Sequence, residues 1–138
     1  MAANHKNKTF ATLLAMLFGG IGLHRFYLYG TSDRWGWLHL SSLAISGILA
    51  GQWPEQPLLF TAAPLVISIL AGLIAALVLG LTPDDKWDQR HNHQSGRQSR
   101  SGAWLAVLLV LTTGCGAIAL IAVLARTLDL LFTGGAYG

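Results

Sequence analysis

The chain has 138 residues, of which 53% are hydrophobic and only 11% charged, with nine Lys and Arg against six Asp and Glu. Average soluble domains carry roughly 25% charged residues, so a composition this apolar, with a mean hydropathy of +0.51, points away from a soluble enzyme. The net charge of +3 does not point to nucleic acid either. Its cations flank apolar runs, as they do where they set membrane topology and meet anionic head groups. The single Cys115 lies in an apolar run and can form no intrachain disulfide.

Four apolar segments follow in chain order, at about residues 9–23, 35–50, 58–81 and 103–125. The expectation is an all-α integral membrane protein with four transmembrane helices, the first two forming a short hairpin. A spanning helix needs about 20 apolar residues, which the last two segments meet and the first two do not. The first covers only about 22 Å of a hydrocarbon core near 30 Å. A re-entrant pair of half-helices is therefore the competing reading on length. Basic residues before the first segment imitate a signal peptide, but no Ala-x-Ala-like site follows, so it is read as a retained first helix. Residues 51–57, with Pro54 and Pro57, are a tight turn. Residues 82–102 form a long polar loop, mobile or interfacial, and a short tail follows residue 125.

The most informative run is Gly19-Gly20-Ile21-Gly22-Leu23-His24-Arg25-Phe26-Tyr27-Leu28-Tyr29-Gly30. With Lys6-x-Lys8 before it and a second apolar helix after it, this run resembles the TM2 domain over about residues 5–53. Tyr29 departs from the pattern by separating Leu28 from Gly30. The resemblance implies a helical hairpin of bacterial inner membranes or of eukaryotic membranes, often joined to other modules, and supplies no biochemical activity. His24 stands where eukaryotic relatives place an Asp, which weakens any receptor-like transfer.

Read from the residues themselves, Gly19, Gly20 and Gly22, with Gly72 in the third segment and Gly114 and Gly116 in the fourth, are candidate helix-packing positions, because small residues let membrane helices approach closely. His24, Arg25, Phe26, Tyr27 and Arg34 are candidates for docking a partner or anionic lipid at the interface. Asp33 is the natural partner of Arg25 or Arg34. His39, in the second segment, is expected to hydrogen-bond a neighbouring helix rather than bind haem. His91-x-His93 lacks zinc-site spacing.

All six acidic residues, at 33, 55, 84, 85, 88 and 129, lie outside the apolar runs. Proton relays and ion-coupled carriers need ionisable groups within the membrane. No Ser-His-Asp order, Gly-x-Ser-x-Gly or phosphate-cradling loop is present. No catalytic residue, metal or cofactor is expected. The sequence points to an accessory or scaffolding subunit whose partners are the bilayer and other membrane subunits. The alternative is a sensor or regulator that binds anionic lipid through its basic turns.

Counting Lys and Arg on four spans puts Lys6, Lys8 and Arg126 on one side and the other six on the opposite side. The positive-inside rule then places residues 24–34 and 82–102 in the cytoplasm and both termini in the periplasm.

Overall fold

The computed structural model describes residues 5–137, whose regular structure is all helical, with no β-strand among them. Helix α1 is Lys8–Phe18, followed by a 3-10 turn at Gly19–Ile21, and α2 is Leu23–Tyr29. Helix α3 is Arg34–Gln52, α4 the single turn Leu58–Thr61, and α5 Ala63–Leu81. A polar helix α6, Asp84–His91, precedes the long α7, Ala103–Thr133.

The first expected span, 9–23, is not one helix. α1 ends at Phe18, and Gly22 takes the left-handed conformation at φ +78°, a turn that side chains resist and glycine accepts. α2 then runs back along α1. Lys6 Nζ donates to the Tyr27 carbonyl at 2.7 Å, and the Asn7 amide donates to the Tyr27 hydroxyl at 2.8 Å. Phe10 meets Tyr27 edge to face, and Ala11 packs with Leu28.

At 1.5 Å per residue, α1 is about 16 Å long and α2 about 10 Å, each well short of a 30 Å hydrocarbon layer. The pair is a short hairpin with a glycine tip and a polar base. A four-span arrangement sets Lys6 and Lys8 at the opposite end from the His-Arg turn. Here they share one end with Arg25 and Arg34, because the chain reverses at the tip.

The other helices surround this hairpin. α3 starts beside the base, where Asp33 caps it by accepting from the Gly36 amide at 2.7 Å, then passes the tip and continues. The turn at 53–57 returns the chain into α4 and α5. Pro64 has no N–H to continue the ladder from α4, so the helix breaks at Ala62. α5 runs back antiparallel to α3, meets it where the Leu65 amide donates to Ser46 Oγ, and ends at the base beside Lys8.

α7 leaves the base antiparallel to α5, with Leu109 against Gly80. It is continuous to Thr133, so the expected tail after 125 is helix for two further turns, closed by Gly134 at φ +69°. An Arg126–Asp129 ion pair lies near that end.

α5 and α7 are long and apolar enough to cross a membrane by length and composition. α3, at 19 residues, spans about 28 Å but is less apolar.

Candidate functional site

The glycine tip is where the two halves of the chain meet. A Cβ on Gly19 would lie 2.6 Å from the Gly72 Cα, and one on Gly72 would lie 2.6 Å from Gly19. Backbone packs on backbone, the closest approach two helices make. A Cβ on Gly20 would strike Ile69, and one on Gly22 would come 2.7 Å from the Gly36 carbonyl oxygen. Gly36 in turn receives the Phe26 ring. These glycines therefore act as packing positions and wedge the tip between α3 and α5. Gly116 makes only ordinary contact with Leu73, and Gly114 faces nothing within 4 Å, so the expected waist of α7 is not used within this chain.

A short polar chain stitches the tip to its neighbours. The Gly20 carbonyl, left free by the turn, accepts from Ser68 Oγ at 2.7 Å, and Ser68 Oγ is 2.6 Å from His39 Nδ1. Ser42 Oγ donates to the His39 carbonyl. The His24 ring lies edge-on to His39 at 5.8 Å between centroids. The reversal at Gly22 brings these two rings together. His24 is 3% exposed, and its Nδ1 has no hydrogen-bond partner.

At the base, the segment expected as a mobile or interfacial loop holds helix α6 and packs as a cap. Pro83, two acids in the first turn of α6, and Arg90 and His91 in its last turn form a helix whose charges suit its dipole. That signal is legible in the sequence, although the segment has almost no apolar residues. Its one large apolar residue, Trp87, is 1% exposed and sits on Ala11 and Leu28. Trp87 Nε1 and Asn92 Nδ2 both donate to the Lys6 carbonyl, while the Lys6 amide donates to Asn92 Oδ1 at 2.7 Å.

Lys8, 6% exposed, donates to the Thr82 carbonyl and at 2.5 Å to Asp84. Asp84 also accepts from the Ser101 amide and hydroxyl. Burial pushes the Asp84 carboxyl up, but the Lys8 ammonium and the Ser101 donors outweigh it and hold it down at about 2. Asp88 is likewise raised by burial and lowered, on balance, by Ser99, Asn92 and His5.

The five expected docking residues are mostly engaged internally. His24 is buried, Phe26 packs on Gly36 and Trp37, and Tyr27 binds Asn7 and Lys6. Arg25 grips both oxygens of Asp33, at 2.6 and 2.9 Å, and lies over the Tyr29 ring. Asp33 thereby takes Arg25 rather than Arg34, and that hydrogen bond holds its carboxyl below the usual range. Arg34 is exposed, with no ion pair among the described residues. His91 and His93 are not joined by further metal-type ligands among the described residues.

The chemistry on offer is packing and polar anchoring, arranged around a short hairpin that turns back at its glycine tip. No curated protein and no solved structure matches the chain. Residues 4–53, which hold α1, α2 and α3, match the family model described as the TM2 domain. That stretch is similar to the TM2 domain family, while α4 to α7 lie outside the match.

Proposed function

We propose that this chain is a non-catalytic integral membrane protein, an accessory or scaffolding subunit of a bacterial inner membrane. Its TM2 unit contributes a half-spanning hairpin and one crossing helix, and α5 and α7 cross as well. What supports this topology is charge. With the hairpin reversed at its tip, eight of the nine Lys and Arg residues (all but Arg126) gather at the base. The positive-inside rule then makes the base cytoplasmic. The N-terminus joins the two basic segments there, and the C-terminus lies on the other side.

The observation that carries the subunit reading is α7. It is 31 residues long, yet Leu105 and Thr112 are its only buried residues among those described. Beyond Thr112 the small residues Thr113, Gly114, Cys115 and Ala117 are exposed, with Gly114 open. Small outward faces on membrane helices serve close contact with another helix.

Purification in mild detergent is expected to retain a stoichiometric membrane partner. Gly114→Leu is expected to lose most of that partner while the chain itself accumulates and melts as wild type. Recovery of the wild-type chain alone, or an unchanged partner yield with Gly114→Leu, contradicts the reading.

A second reading, lipid sensing, is favoured by the cluster of exposed Arg34, Lys86, Arg90, Arg97 and Arg100 at the base, beside exposed Trp35 and Trp37. Cations and aromatics at that level suit anionic head groups. On this reading the chain purifies alone and retains acidic lipid in a salt-dependent way.

A further inference from the structure

An outward-facing groove of about 320 Å³ lies between α3 and α5, walled by apolar side chains from Trp35 to Ile67, with His39, Ser41, Ser42 and Ser68 as its polar lining. Its size falls at the lower end of small-molecule sites, which are mostly apolar with a few convergent polar groups. Because it opens sideways between two long helices, its occupant comes from the bilayer. The topology proposed above puts the Trp35 end near the head groups.

The hydrogen bonds fix what His39 offers. The Gly20 carbonyl can only accept, so Ser68 Oγ spends its one proton there, at 2.7 Å. Ser68 Oγ must then accept from His39, and the 2.6 Å contact is Nδ1–H to oxygen. In the neutral imidazole this leaves Nε2 as a bare lone pair. Among the described residues Nε2 makes no hydrogen bond, and it is not an occluded atom, since His24 Nδ1 alone is both buried and unpartnered. Behind His39 stands the His24 ring, which closes the inner side. A lone acceptor in an apolar groove is costly unless a donor reaches it.

We infer that the α3–α5 groove binds a membrane-dissolved phenolic head, a quinol ring, whose hydroxyl donates to His39 Nε2 while its ring lies against the apolar walls. A phenol is a stronger donor than an aliphatic alcohol, and the groove offers acceptors rather than donors: the Ser41, Ser42 and Ser68 hydroxyls already donate to the Leu38, His39 and Gly20 carbonyls, and His39 Nε2 is left without a donor. The site therefore distinguishes a quinol from the corresponding quinone, which has no hydroxyl to donate. Sites built around one buried hydrogen bond reject analogues that lack the partner group.

The test is equilibrium binding of a benzoquinol bearing one isoprenoid unit to the full chain in phosphatidylcholine nanodiscs under reducing conditions. The quinone form and a short-chain diacylglycerol serve as comparison ligands. Saturable quinol binding is expected, weakened by about tenfold or more for the quinone on the unaltered protein. His39→Phe is expected to weaken quinol binding to a similar degree, and nitrogen NMR of His39 is expected to show the Nδ1–H tautomer. Equal binding of quinol and quinone, diacylglycerol binding in place of quinol, or no saturable binding at all overturns the assignment. The comparison of quinol with quinone needs no variant, so a misfolded His39→Phe leaves the test decisive. Partner retention reads the subunit proposal separately.

Discussion

Gly72→Leu is expected to break the joint between the TM2 hairpin and α5 and to lower the melting temperature of the detergent-solubilised chain steeply. The Cβ alone would sit 2.6 Å from the Gly19 Cα and 3.0 Å or less is a distance no side chain can relieve here, because the obstacle is backbone. Overpacking costs about 1–3 kcal/mol where side chains can adjust, and here the helices must separate. Separation would also expose the Gly20 carbonyl that Ser68 now satisfies. Against a total stability of about 5–15 kcal/mol, this is enough to deplete the folded protein. Gly114→Leu is the control, since an added Cβ there meets nothing within 4 Å. Equal melting of the two variants would remove the tip from the account.

Trp87→Ala is expected to release the polar cap from the base. Deleting a buried aromatic costs about 3–5 kcal/mol, and this ring fills the space over Ala11 and Leu28. It also donates to the Lys6 carbonyl at 3.1 Å. Residues 93–102 hang on the same scaffold, through Ser99 to Asp88 and Ser101 to Asp84. Limited proteolysis is expected to cut this segment much faster in Trp87→Ala than in wild type. Trp87→Phe, which keeps most of the apolar surface and loses the one hydrogen bond, is expected to fall between them at a cost of about 1 kcal/mol for that bond. Unchanged cleavage in Trp87→Ala would mean that the cap is held by its polar contacts alone.

Much of the first half of the molecule is legible in its residues. Gly19, Gly20, Gly22 and Gly72 announce close packing, and Asp33 announces an ion pair with Arg25 or Arg34. The shortness of residues 9–23 raises the re-entrant alternative. What the sequence does not reveal is the choice between spanning and turning back. That choice rests on Gly22 adopting a positive φ and on Tyr27 reaching Lys6 and Asn7, contacts between residues about twenty apart. The order of residues 82–102 is hidden for a similar reason. Their partners are backbone and side-chain groups of residues 5–8, and a composition of Asp, Arg, Gln and Ser looks solvated until those partners are known. The groove beside His39 is hidden too, since Ser68 comes to it from another helix.

The half-spanning hairpin is tested most directly by labelling single cysteines in intact cells, in a Cys115→Ser background, with a reagent that does not cross the membrane. Cysteines placed at Asn7, Thr31, Gln98 and Ala136 sample the base three times and the far end of α7 once. The account predicts that Asn7, Thr31 and Gln98 are protected together until the cells are opened, and that Ala136 is labelled from outside. Labelling of Asn7 from outside with Thr31 protected would put the two ends of the first hairpin on opposite sides of the membrane, and would contradict it.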